Sequence, residues 1–171
     1  NTKVHEETNT LYPKYILTNT GNVSIDLKDV RIRYYYTIDG EKEQNFWCDW
    51  SNAGTVNITG NFVKLSEPFE KADYYLEMGF KPEAGVIKPG DQIEIHTRIA
   101  KSDWTEYTQT NDYSYTFSKH DYILWDKVTV FISDEMIWGD QTLFGRPIIQ
   151  SAEAQEYSIH VETVVLMCAS S

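Results

Sequence analysis

Along much of the chain apolar and polar side chains alternate in short runs, and turn residues separate the runs. A period of two is the mark of half-buried strands, because successive strand side chains point to opposite faces. Over residues 30–36, Val30, Ile32, Tyr34 and Tyr36 share one face while Arg31, Arg33 and Tyr35 share the other. Tyr74, Leu76, Met78 and Phe80 repeat the pattern, as do Ile93, Ile95, Thr97 and Ile99, and later Val128, Val130 and Ile132. Shorter candidates lie at 14–18, 62–65 and 135–138. Thr20-Gly21-Asn22, Asp39-Gly40, Thr59-Gly60-Asn61 and Pro89-Gly90-Asp91 fall between the runs and predict turns for backbone reasons. Helical spacing is nearly absent. About nine strands without a crossover helix predict an all-β fold, an antiparallel β-sandwich with jelly-roll topology.

The last third changes character. From 141 to 156 the alternation lapses around Gly145 and Pro147, which predicts a connection with one helical turn at 151–156. It resumes over 157–171, where Ile159, Val161, Thr163, Val165 and Met167 alternate with Ser158, His160, Glu162, Val164 and Leu166. A tail that apolar predicts a strand packed in a sheet. The chain thus divides into a core (1–140), a connection (141–156) and a final strand (157–171). Its 171 residues suit a single domain that buries about two thirds of its unfolded surface.

Composition narrows the function. A net charge of −11 disfavours nucleic acid and anionic membrane surfaces, whose affinity comes from Lys and Arg against phosphates. No apolar run reaches the ~18 residues of a membrane-spanning helix, so no membrane insertion is expected. Two cysteines, Cys48 and Cys168, exclude a disulfide framework and a zinc site; one bridge between them and two buried thiols remain equally compatible with the sequence. Aromatic residues, by contrast, make up 14% of the chain, with 12 Tyr and 5 Trp, and call for a use.

Two segments offer one. In Phe46-Trp47-Cys48-Asp49-Trp50 the tryptophans stand three apart, so in an extended chain they face opposite sides, with Trp47 in the core and Trp50, next to the loop 51–54, towards solvent. In the second segment, inward Ile93, Ile95 and Ile99 place Gln92, Glu94, His96 and Arg98 on one outer face, and Trp104 follows in a polar turn. A solvated face with a Trp folded over a sheet edge accounts for this segment as well as a binding surface does. Exposed flat rings among polar groups are what a sugar polymer requires, since pyranose C–H faces stack on Trp and hydroxyls seek amides and charges. Two or three stacked rings at roughly 2–3 kcal/mol each would leave about micromolar binding after association costs. A third constellation, Thr37-Ile38-Asp39 with Thr108 to Asp112, is rich in oxygens of the kind calcium takes, although Asp-Gly and Asn-Asp serve equally as turn residues. Paired carboxylates of a glycosidase can be drawn from 26 acidic residues, but none is singled out by its surroundings.

These residues carry a resemblance. Thr18-Asn19-Thr20-Gly21, Ile25-Asp26-Leu27, 33–40 (Arg-Tyr-Tyr-Tyr-Thr-Ile-Asp-Gly), Phe46-Trp47-Cys48-Asp49, Phe62-Val63-Lys64-Leu65, Asp73-Tyr74-Tyr75-Leu76-Glu77, Ala100-Lys101-Ser102-Asp103-Trp104, 108–114, Trp125-Asp126-Lys127-Val128 and Trp138-Gly139 occur in the order of the family 3 carbohydrate-binding modules, which the chain resembles over residues 9–139. The resemblance implies a non-enzymatic, extracellular jelly roll that binds cellulose or a related β-glucan and forms part of a larger multimodular protein. A module that packs on a catalytic or sensing partner with little cellulose affinity of its own is the alternative. By the same likeness Asp49, Arg98 and Trp104 fall on the cellulose-binding strip, Trp50 stands where scaffoldin types carry a His, and His96 and Gln109 are polar anchors. Thr37, Asp39, Thr108, Asn111 and Asp112 fall on a structural Ca2+ site. The strip Tyr of scaffoldin types, in the loop after Trp50, has no counterpart, which implies a shorter platform. The family's opening strand is found at the other end: 163–171 read into Asn1-Thr2 reconstructs it, implying a circular permutation, with a truncated module plus unrelated tail as the alternative.

Overall fold

The structure, a computed structural model, describes residues 7–116, 121–140 and 157–166. Its strands are β1 (Glu7–Thr8), β2 (Thr10–Asn19), β3 (Ile25–Asp26), β4 (Val30–Tyr36), β5 (Gln44–Ser51), β6 (Ile58–Phe69), β7 (Ala72–Phe80), β8 (Val86–Ile87), β9 (Gln92–Lys101), β10 (Tyr107–Thr108), β11 (Ile123–Leu124), β12 (Val128–Ile132), β13 (Glu135–Trp138) and β14 (Ile159–Leu166). Five of them form one antiparallel sheet in the order β11-β14-β2-β9-β5, and five form a second in the order β13-β12-β4-β7-β6. Two further two-stranded ladders are β1-β10 and β3-β8.

The alternation read from sequence is what fills the space between the sheets. Leu11, Tyr15 and Leu17 of β2, Ile95 and Ile99 of β9, Ile32, Tyr34 and Tyr36 of β4, and Leu76 and Met78 of β7 are fully buried in one core. Val161 and Val165 join it from β14, which pairs with β2 over eight residues, Ile159 opposite Asn19 through Leu166 opposite Tyr12. The final strand therefore sits inside the first sheet, as its apolar pattern predicts. The connection at 141–156 with its helical turn, and the junction of 167–171 with Asn1-Thr2, lie outside the described residues.

Two local readings are corrected. Thr59-Gly60-Asn61 is not a turn but the start of β6, and Gly60 is there because the Phe46 ring packs where a Cβ would stand. Tyr35 points away from the core, as expected, yet is buried: Phe69, Tyr75 and Tyr113 close over it, and its hydroxyl meets Thr129 Oγ1 at 3.0 Å. Beside it the Arg33 guanidinium lies between the rings of Tyr75 and Phe131 and donates to Glu77 at 2.8 Å.

Candidate functional site

The outer face of the first sheet is built on β9 and β5. Inward Ile93, Ile95, Thr97 and Ile99 leave Glu94, His96 and Arg98 outward, as the pattern requires. Pairing with β5 then holds a surprise. Arg98 stands opposite Trp47 and Cys48 opposite Thr97, but His96 stands opposite Trp50, so Asp49 is one residue too many for the ladder. This β-bulge rotates the strand between the two tryptophans and brings both to the outer face. Trp47 is accordingly a half-buried residue of the outer face rather than a core residue.

Each ring is held by neighbours. Trp47 and Trp104 are parallel within 7°, centroids 6.1 Å apart, and the Arg98 guanidinium sits 5.0 Å above the Trp47 ring. Arg98 Nε donates to both carboxylate oxygens of Asp49 at 2.8 Å, so the bulge residue itself pins the guanidinium flat. Trp104 is 53% exposed and adopts φ +59°, a left-handed conformation unusual for a bulky residue and a mark of imposed geometry. Its turn is closed by Trp104 N–H to Lys101 C=O at 3.0 Å, while Thr105 donates to Asp103. Beneath it the Lys101 ammonium is buried and donates to the carbonyl oxygens of Asp39 and Glu106; burial lowers its pKa.

Trp50, 46% exposed, tilts against the His96 ring at 5.2 Å. In the loop after it Asn52 stands in for ladder bonds: its side chain donates to Gln92 C=O and accepts from Glu94 N–H, both at 2.9 Å. His96 Nε2 donates to Glu94 at 2.9 Å and the Tyr122 hydroxyl donates to the same carboxylate at 3.0 Å. The hydrogen bond from His96, aided by that from Tyr122, holds the Glu94 carboxyl below its usual range. Rings and polar groups therefore alternate across one face: Trp104 and Trp47, Arg98 with Asp49, Trp50 and His96, then Glu94 with Tyr122.

Of the residues expected from sequence, Asp49, Trp50, His96, Arg98 and Trp104 come together here. Gln109 does not: it lies in the 3-10 turn after β10, only 1% exposed, and its side chain is closed off from a surface ligand. Trp47, expected in the core, joins the face, as do Glu94 and Tyr122. Glu94 was legible in the alternation, and Tyr122 carried no local signal.

The oxygen-rich constellation also assembles. Asp112, itself buried, accepts Thr37 N–H at 2.8 Å on Oδ1, while its buried Oδ2 has no hydrogen-bond partner among the described residues. The Thr37 hydroxyl lies 3.1 Å from both Asp39 Oδ1 and Asp112 Oδ1 and donates to Asn111 Oδ1 as well. Asn111 Nδ2 reaches Asp39 Oδ1 at 2.9 Å, and Thr108 meets Asp39 through its backbone N–H. Burial, with Asp39 and Asp73 nearby, pushes the Asp112 carboxyl well above its ordinary range. Among the described residues no group of three His, Cys, Asp or Glu is gathered for a metal. Two carboxylates with neutral oxygens suit a hard cation such as calcium and not a transition metal.

Comparison with known proteins identifies the family. A family model described as "Cellulose binding domain" matches residues 1–139. Exoglucanase-2 of Thermoclostridium stercorarium is 48% identical over 139 residues, which is 81% of this chain and 15% of that protein. Anti-sigma-I factor RsgI4 of Acetivibrio thermocellus is 43% identical, covering 81% of this chain and 27% of that protein. The chain thus spans a small part of the curated relatives it matches. Among solved structures, biomass-sensing modules from putative RsgI-like proteins of Clostridium thermocellum superpose with a TM-score of 0.78 at 44% identity, covering 82% of this chain and 91% of that one. The CBM3b of the major scaffoldin subunit ScaA from Acetivibrio cellulolyticus gives 0.77 at 48%, covering 79% and 88%. Matched over most of its length by the family model and by these structures, the chain belongs to the family 3 carbohydrate-binding modules, the cellulose-binding domains.

Proposed function

We propose that this module binds cellulose through the row Trp104, Arg98 with Asp49, and Trp50, with Trp47 stacked on Trp104 to hold it in place, and performs no chemistry of its own. The observation that carries the reading is the Asp49 bulge, which puts Trp47 and Trp50 on one face with Trp104 stacked parallel to the first. Indole faces cover the C–H faces of successive glucosyl rings, and Asp49, Arg98, His96 and Glu94 supply partners to the hydroxyls at their edges. In a larger extracellular protein such a face targets the rest to plant cell-wall polysaccharide. Relatives that are enzymes and relatives that are sensors support a parent of either kind, with the same platform. Retention on microcrystalline cellulose, compared between wild type and Trp104→Ala, tests the reading: equal retention sinks it.

Two structural features serve that face. Thr37, Asp39, Thr108, Asn111 and Asp112 would hold Ca2+, which when bound neutralises the buried Asp112 carboxylate and ties the segment after β4 to that after β10. The buried Asp112 Oδ2, without a hydrogen-bond partner among the described residues, supports this. Strand β14, beyond the matched 1–139, would take the place of the family's opening strand under the circular-permutation reading; its eight-residue ladder with β2 supports that reading.

A further inference from the structure

Tyr122 directly precedes β11 at one edge of the first sheet, whereas Glu94 lies on β9, with β14 and β2 between them. The Tyr122 hydroxyl nevertheless donates to Glu94 Oε1, so the two side chains together bridge three strand spacings, roughly 14 Å, over the outer face. Val164 marks the path. It stands opposite Lys14, itself opposite outward His96, and so faces outward; yet it is only 1% exposed, a burial that fits a ring laid over it.

Both donors at this end of the platform choose the same oxygen. His96 Nε2 and the Tyr122 hydroxyl each bond Glu94 Oε1, at 2.9 and 3.0 Å. Glu94 Oε2 takes no hydrogen bond among the described residues, and the side chain is 34% exposed. Burial, and then the bond to Glu94, raises the Tyr122 pKa, which keeps the hydroxyl a donor. Two other charges share these rows of the outer face, Lys14 opposite His96 and Glu162 across Ile16 from Glu94; Arg98 is already paired with Asp49.

We propose that Tyr122 is a positioning residue of the platform and that Glu94 sets its specificity. Tyr122 holds the carboxylate on His96, the ring against which Trp50 leans at 5.2 Å, and the open Oε2 selects a glucosyl unit with free hydroxyls over one bearing a carboxylate. A sugar hydroxyl donates to a carboxylate oxygen, whereas an ionised carboxylate has only acceptors to offer and repels its like. Because His96 gives its Nε2 proton to Oε1, the same contact also fixes the imidazole beside Trp50 in one tautomer. The assignment rests on the cellulose-binding reading of the platform.

The test is depletion isotherms at low ionic strength on microcrystalline cellulose and on the same cellulose oxidised at C6 to carboxylates. Wild type should prefer the unmodified surface about ten-fold, and Glu94→Gln only about three-fold, the remainder coming from the net charge of −11. Preference is a ratio of affinities, so a variant that folds less completely does not change it. Tyr122→Phe keeps the ring but not the donor, and should bind unmodified cellulose about three- to five-fold more weakly, the size of one hydrogen bond. In a Glu94→Ala background the same substitution should cost nothing further, because Tyr122 then has no carboxylate to hold. An undiminished preference in Glu94→Gln, full affinity in Tyr122→Phe, or a Tyr122→Phe loss that persists without Glu94 would each overturn the assignment. Failure of the platform itself shows separately, as unchanged retention of Trp104→Ala on the unmodified substrate.

Discussion

Trp47 is more covered than Trp104 or Trp50, and its contribution should be indirect: it orients Trp104. A Trp side chain offers on the order of 150–250 Å², and Trp104 is 53% exposed. About 100 Å² is then available to a sugar ring, worth roughly 2 kcal/mol at about 25 cal/mol per Å² with part of the edge left wet. Trp104→Ala should therefore weaken binding to microcrystalline cellulose about thirty-fold. Trp47→Ala removes a parallel stack, worth about 0.5–1.5 kcal/mol beyond its area, and frees Trp104 to leave the plane; a three- to ten-fold loss follows.

The two losses should not add. Once Trp104 is gone, Trp47 has no ring to orient, so Trp47→Ala in the Trp104→Ala background should cost little, leaving a coupling of about 1 kcal/mol in the double-mutant cycle. Depletion isotherms of the four proteins measure it. Free energies that add within about 0.3–0.5 kcal/mol would refute the positioning role of Trp47. Trp104→Gly separates binding from folding: glycine accepts φ +59° freely, relieving about 1 kcal/mol of strain. Its unfolding midpoint should match or exceed that of Trp104→Ala while retention stays lost.

Calcium at a hundred-fold excess over its dissociation constant should stabilise wild type by about 2.7 kcal/mol in denaturant titrations; Asp112→Asn should lose that gain, and an equal response in both would argue against the site. Glu94, held below the usual carboxylate range, contributes stability that is present above its unfolded value near 4.3 and is lost as pH falls through its folded value. The stability difference between wild type and Glu94→Gln should therefore be largest near pH 6 and fade towards pH 3; a difference constant with pH contradicts this. The Cys48 thiol is pushed up to about 11, chiefly by burial, so alkylation by iodoacetamide near pH 8 should run at least ten-fold slower than for a free thiol; equal rates would mean the side chain is not held inside. Ending the chain after residue 140 removes buried Ile159, Val161, Val164 and Val165, together worth roughly 6–10 kcal/mol, as much as a whole domain's stability. That shortened protein should show no cooperative melting transition by calorimetry; a preserved transition would show that β14 is dispensable.

What the sequence made legible, and what it hid, have separate physical causes. Period-two alternation over 30–36, 74–80 and 93–99 marks β4, β7 and β9 because those strands lie inside sheets and obey the pleat without exception. It also put His96 and Arg98 on one surface, where they are. Alternation loses its force where one face is not simply wet. Tyr35 reads as an exposed position and is buried, since Tyr113 arrives from a distant loop to cover it. The start of β6 reads as a turn because Gly60 and Asn61 are turn formers, while the reason for the glycine, the Phe46 ring, lies on another sheet. Both errors come from partners remote in sequence.

The Asp49 bulge belongs to a third kind. A spacing of three between Trp47 and Trp50 opposes them in any regular strand, and only pairing with β9 reveals the extra residue. Asp49 then holds two roles that alternation treats as unrelated: its backbone rotates Trp47 outward, and its carboxylate holds Arg98 over the ring so exposed. Removing the carboxylate alone, as in Asp49→Ala, would leave the bulge and both tryptophans in place; deleting the residue would return Trp47 or Trp50 to the core side. The platform is therefore a consequence of register more than of composition, and a single deletion should harm it more than any single side-chain truncation.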